Sequence, residues 1–160
     1  PAFAADGILT AGNSSQLSDG AAALVLMKKS EAQKRGLNWI AEIISYGTSA
    51  GPDTSLLLQP SAAIKDSLRR SDLALKDLHL FEINEAFSTV ALASMNDLGI
   101  SMDQVNIWGG ATAIGHPVGA SGARLVLTLA NQLRERGGGY GVASLCGGGG
   151  QGDALLIRVD

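Results

Sequence analysis

Three polar residues stand where an apolar run gives way to a turn: Asn84 after Phe81-Glu82-Ile83, His116 in the glycine-rich stretch after Ile107, and Cys146 after Val142-Ala143-Ser144-Leu145. An imidazole exchanges protons near neutral pH, a thiol serves as nucleophile or base, and a carboxamide can hold an oxyanion or a water. Each also has a plainer reading. Asn84 could be a helix N-cap, His116 a ring bonded to loop backbone, and Cys146 a small buried hydrophobe. The surroundings favour chemistry. Cys146 precedes Gly147-Gly148-Gly149-Gly150-Gln151-Gly152, whose N–H groups can hold negative charge or lower a thiol pKa. Small residues from Ala111 to Gly122 surround the single imidazole and let a ligand approach both backbone and ring.

The elements that position these residues follow from patterning. The apolar run Ala21 to Met27 predicts a central strand, and Ser30 to Arg35 a short helix capped by Ser30. Trp39 to Tyr46 reads as a strand ended by Gly47, followed by a loop to Thr54. Pro60-Ser61 starts a helix with Ala62, Ala63, Ile64 and Leu68 opposite a solvated face of Lys65, Arg69 and Arg70. His79 to Ile83 is a strand running into a helix that reaches Leu98, and Val105-Asn106-Ile107 another strand. Leu125, Leu129 and Leu133 mark a helix from Ser121 to Arg136. Residues 141–145 and 153–159, joined by glycines, form an antiparallel hairpin. The expected fold is layered α/β, a mixed sheet with helices on both faces.

Composition narrows the class. In 160 residues, 46% hydrophobic and 17% charged excludes a disordered chain, and no apolar run reaches the roughly 20 residues of a membrane-spanning helix. A net charge of −3 provides no positive field for a polyanion, so neither nucleic acid nor membrane is expected as a partner. One cysteine excludes an internal disulfide and fits a reducing, cytoplasmic setting. A start at Pro1 with no targeting pattern leads us to expect a chain that begins inside something larger.

Asn84-Glu85-Ala86-Phe87, Gly115-His116-Pro117 with Gly119-Ala120-Ser121-Gly122, and Cys146-x-Gly148 with Gly149-Gly150-Gln151-Gly152 together resemble the C-terminal half of thiolases, the acetyl-CoA acetyltransferase and 3-ketoacyl-CoA thiolase family. Thr10 to Ser15 followed by Asp19-Gly20-Ala21-Ala22-Ala23 is similar to the preceding segment of that family. The resemblance implies a five-layer α/β/α/β/α subunit, with residues 1–35 ending its N-terminal half and 36–160 forming the C-terminal domain. It implies acyl transfer in fatty acid metabolism, condensing two acetyl-CoA or cleaving 3-ketoacyl-CoA through an acyl-cysteine. Coenzyme A thioesters are the substrates, with no metal or other cofactor.

By the same resemblance His116 activates the nucleophilic cysteine, Cys146 is the second acid/base, and His116 with Asn84, through a water, forms an oxyanion site. The Gly148 N–H contributes to a second oxyanion site, Ser15 touches the pantetheine arm, and Phe87 lines the acyl pocket. The family's nucleophile lies in the N-terminal half, so the expected partners are that missing half or a complementary chain, within a homo-oligomer, dimer or tetramer. The alternative is a catalytically inactive fragment serving as a structural or oligomerisation module. A sterol-carrier-type thiolase or a ketoacyl synthase fits less well, given the Asn84 motif and Cys146. Two departures stand out: Leu56-Leu57-Leu58-Gln59-Pro60 replaces a Met- and Gly-containing loop beside the acyl pocket, and Trp108 replaces an Asn. Lys28, Lys29, Arg69 and Arg70 could meet coenzyme A phosphates or simply be solvated. An exposed apolar face is expected around Ala21–Met27 and Val142–Cys146.

Overall fold

A computed structural model describes all residues, 1–160. Its sheet has four strands in the order β1 (Glu42–Ala50), β4 (Gln151–Val159), β3 (Gly139–Gly147), β2 (Leu78–Ile83). β3 and β4 form the expected antiparallel hairpin, β1 pairs antiparallel with β4, and β2 runs parallel to β3, so the sheet is mixed.

Period-2 alternation divides the strands between two cores. On one face Phe81, Ile83, Val142, Ala154 and Leu156 pack against Ala63 and Ile64 of α2 (Gln59–Arg69) and Ala91, Met95 and Leu98 of α3 (Ser88–Leu98). On the other, Leu80, Ala143, Ile157 and Val159 pack against Leu125, Leu129 and Leu133 of α5 (Ser121–Glu135). Each buried leucine of that stripe contributes roughly 1.5–3 kcal/mol. Two shorter helices complete the chain, α1 (Lys29–Lys34) and α4 (Ala111–Ile114).

The structure corrects several expectations. Residues 21–27 form no strand and pair with none; Val25 is 90% and Leu26 71% exposed. The apolar face predicted at Val142–Cys146 is instead the sheet's centre, with Val142 and Cys146 buried. β1 continues through Gly47 to Ala50, because a glycine there lets the α2 backbone at Ala63 and Ser67 lie directly on the strand. Ser30 caps nothing: α1 is preceded by Lys28 with no side-chain cap.

The strand predicted at residues 105–107 is reduced to one bridge between Val105 and Phe81. Asn106 takes over the pairing with its side chain. With φ at 48°, its Oδ1 accepts from the Ile83 N–H at 2.9 Å and its Nδ2 donates to the Ile83 carbonyl at 2.8 Å. A carboxamide thus reproduces the ladder that a further strand residue would supply.

Candidate active site

β2 and β3 run parallel with Ile83 opposite Ser144, so Asn84 and Cys146 leave the same carboxyl edge on adjacent strands. Open α/β sheets place their sites at this edge. Asn84 is fully buried, and its N–H donates to the Ser144 carbonyl at 2.9 Å, carrying the ladder one residue past β2. It does not cap a helix, because α3 begins at Ser88 with Phe87 in the cap position.

Asn84 Nδ2 lies 3.2 Å from His116 Nε2, and His116 Nδ1 lies 2.6 Å from Ser121 Oγ. The Ser121 hydroxyl donates to the Pro117 carbonyl at 3.0 Å. A hydroxyl has one proton to give, so Ser121 Oγ accepts from Nδ1–H, and Nε2 keeps its lone pair towards Asn84. These bonds assign the ring as the Nδ1–H tautomer. Burial, and then the Arg124 charge, hold its pKa below the ordinary histidine value, so the neutral form prevails at pH 7.

The loops holding this pair are fastened by Glu85. Its Oε1 accepts from Asn106 Nδ2 at 2.7 Å and its Oε2 from the Thr112 N–H at 3.0 Å. Gly110 makes room for it, since a Cβ there would overlap the Glu85 carboxylate. Residues 14–17 run as a strap across both loops: Ser15 donates from its N–H and its Oγ to the Ala86 carbonyl at 3.1 and 3.0 Å, and the His116 N–H donates to the Gln16 carbonyl at 3.2 Å. Phe87 bridges to Ser14 and packs edge-on against Phe3, with ring centroids 5.6 Å apart.

The structure thus joins Asn84, His116, Ser15 and Phe87 in one group. Cys146 and Gly148 share the sheet edge but make no side-chain hydrogen bond to it. Burial pushes the Cys146 thiol up, the reverse of the lowering expected from the glycine N–H groups, because desolvation of the strand end outweighs them. The Gly148 carbonyl accepts from Gln151 Nε2 at 3.1 Å, and open space lies where its side chain would be.

Sequence reasoning missed Ser121, Glu85 and Asn106. The first two lie inside motifs already singled out, and the spacing from His116 to Ser121 across a helix start was the available signal. The cations proposed for phosphate are mostly engaged with carboxylates. Arg69 and Arg70 hold Asp66 at 2.7 and 2.9 Å, and Lys29 pairs with Glu42. Lys65, on the face expected to be solvated, pairs with Asp97 at 2.8 Å. Trp108 is 52% exposed, and Leu57 and Leu58 are also exposed where the departing loop enters α2.

The chain is an α/β protein with a histidine, held between Asn84 and Ser121, at the carboxyl edge of its mixed sheet. The thiolase C-terminal domain profile matches residues 37–159, and the thiolase N-terminal domain profile matches residues 1–30. The chain belongs to the thiolase family. A probable acetyl-CoA acetyltransferase of Mycolicibacterium smegmatis is 54% identical over 158 residues, 99% of this chain and 41% of that protein. A cytosolic acetyl-CoA acetyltransferase of Mus musculus is 47% identical, over 99% of this chain and 40% of that protein. Among solved structures, the Bacillus anthracis acetyl-CoA acetyltransferase superposes with a TM-score of 0.96 at 42% identity, covering 100% of this chain and 41% of that one. Human mitochondrial 3-ketoacyl-CoA thiolase gives 0.90 at 39% identity, covering 100% of this chain and 40% of that one. The chain spans about two fifths of the length of these relatives, 41% of the first.

Proposed function

We propose that this chain supplies the Asn84, His116 and Cys146 part of a thiolase site that condenses two acetyl-CoA or cleaves 3-ketoacyl-CoA with free coenzyme A. The observation carrying this reading is the placement of His116 at the sheet edge, with Nε2 3.2 Å from Asn84 Nδ2 and Nδ1 held by Ser121 Oγ, which assigns Nε2 as the proton-accepting nitrogen. A cysteine of a complementary N-terminal portion gives its proton to Nε2, and the thiolate attacks the thioester carbonyl. Collapse of the adduct breaks the carbon–sulfur bond to coenzyme A, which leaves as the thiol by taking the proton of Cys146, and the acyl-cysteine and the Cys146 thiolate remain. In the condensing direction Cys146 removes the α-proton of the second acetyl-CoA, and the resulting carbon nucleophile displaces the enzyme cysteine. His116 and Asn84, through a water, hold the enolate oxygen, and the Gly148 N–H steadies the oxyanion at the acyl-cysteine.

The raised thiol pKa suits an acid/base group that stays protonated at rest. Ser15 and Phe87 are assigned to the pantetheine arm and the acyl pocket, beside the His116 loop. The chemistry requires no metal or cofactor beyond the coenzyme A thioesters. We divide the chain into residues 1–35, completing the N-terminal half, and 36–160, the C-terminal domain. We place the protein in the cytoplasm, in line with the mouse and Gibberella zeae relatives, which are named cytosolic, as a homo-oligomer, dimer or tetramer, active in fatty acid metabolism, including β-oxidation.

The second reading, a non-catalytic module, is favoured by the presence of one cysteine only. One experiment separates the two: the chain is produced together with the N-terminal portion of the M. smegmatis relative, and acetyl-CoA condensation is assayed. We expect turnover that falls by about 10²–10⁴ in His116→Ala. A well-folded complex without turnover would support the module. With the chain alone, mass spectrometry after acetyl-CoA should show no acetyl group retained on Cys146. Stable acetylation there would make Cys146 the nucleophile and overturn its assigned role.

A further inference from the structure

The glycine turn that carries Gly148 is braced from outside the sheet by a side chain to which the proposed chemistry gives no role. Gln59, the first residue of α2, is 6% exposed. Its Nε2 donates to the Gly51 carbonyl at 2.9 Å and to the Ser55 carbonyl at 3.3 Å, so one carboxamide gathers in the loop between β1 and α2. Its Oε1 is shut off from solvent and has no hydrogen-bond partner. A buried acceptor left unpaired costs stability, so the place of this carboxamide calls for an explanation.

The loop it gathers lies directly on the turn between β3 and β4. The Gly51 N–H donates to the Gly150 carbonyl at 2.8 Å. Gly150, with φ at 79°, is so close to Asp53 that a Cβ there would stand 1.9 Å from the Asp53 carbonyl oxygen. Gly152 rests in the same way on Gln59 itself, where a Cβ would stand 2.6 Å from the Gln59 carbonyl oxygen, and the Ser49 hydroxyl donates to that oxygen at 2.9 Å. Glycines bring no side chain of their own to restrict the backbone, so contacts from outside must hold the directions of the N–H groups in this turn. Gly51 and Asp53 supply them at Gly150, and Gln151 Nε2 supplies one at the Gly148 carbonyl.

We propose that Gln59 is a positioning residue for the Gly148 N–H: by pinning residues 51–55 it holds Gly150, and through Gly150 the turn that aims Gly148. The inference rests on the reading of Gly148 as an oxyanion donor. Such a donor acts only when it points at the place where charge develops, and a displacement of about 1 Å costs on the order of 10² in rate. Without the two bonds from Nε2 the loop loses its anchor on α2, the Gly51 N–H meets the Gly150 carbonyl only part of the time, and the Gly148 N–H samples several directions in place of one.

The test uses Gln59→Met, which keeps the length of the side chain and donates nothing, in the full chain labelled at its 21 glycines. By NMR the Gly51 amide should exchange about tenfold faster and the Gly148 and Gly150 amide signals should shift, while Gly99, at the end of α3, and Gly110, before α4, keep theirs. No change at Gly51 and Gly148, or faster exchange at all glycines together, overturns the proposal, since the second outcome is what a merely structural role would give. In the complex with the N-terminal portion of the M. smegmatis relative, kcat for condensation should fall by about ten- to a hundredfold with KM little changed. An unchanged kcat overturns the proposal too. Should Gln59→Met not fold, Gln59→Ser, polar and suited to a helix start, is read by the same signals. A parent complex without turnover would sink the thiolase reading, and the glycine signals of the chain alone would still decide whether Gln59 holds the turn.

Discussion

Ser121 fixes which nitrogen of His116 is basic by having one proton and committing it elsewhere. Ser121→Ala removes the acceptor for Nδ1–H, and we expect ring NMR to show both tautomers in place of one, with a stability loss of about 1 kcal/mol. A single unchanged Nδ1–H signature would mean that another group holds the ring. Glu82 carries a second residue-scale prediction. Its pKa is raised from 4.5 to about 7, so the folded state binds a proton that the unfolded state releases between those values. Stability from this carboxyl is present at low pH and lost as pH rises through about 7, by ~3 kcal/mol at most. His116, held low, works the other way and costs stability as pH falls below 6.5. Thermal unfolding of Glu82→Gln should accordingly gain on the parent as pH increases from about 5 to about 8; parallel curves would refute the assignment.

At the scale of elements, the hairpin, α2, α5 and β2 were legible because period and punctuation agreed: leucines every fourth residue, Pro60 at a helix start, glycines between two strand-like runs. What was not legible depends on partners distant in sequence. Ala21 to Met27 has the composition of a buried strand yet pairs with none here, and residues 105–107 lose their strand to the side chain of Asn106. Within the site, the three polar residues at turns were readable, but the Glu85 clamp and the Ser121 bond were not, since only tertiary structure shows which carbonyl a serine hydroxyl meets. Gly47 illustrates the same dependence: it reads as a strand end, yet it is a mid-strand contact with helix backbone. Gly47→Ala should cost about 2–4 kcal/mol, because the clash is with backbone that cannot step aside. A melting temperature within a degree or so of the parent would show that α2 shifts freely.

For the whole molecule, the exposed apolar run dominates: Leu24, Val25, Leu26 and Met27, with Leu17 95%, Ile8 74% and Phe3 72% exposed. Large apolar side chains exposed in such number favour association. Light scattering should show mass growing with concentration, and Val25→Ser with Leu26→Ser should reduce it. A monomer across the range would remove the need for a partner on this face.

The strand order also bears on synthesis. Among the strands β1 pairs with β4 alone and β2 with β3 alone, while β1 and β2 occupy opposite margins. A nascent chain that has not reached Gly139 therefore holds two strands that have no means of pairing. The β3–β4 hairpin is the keystone, so the sheet closes only once residues 139–159 have left the ribosome.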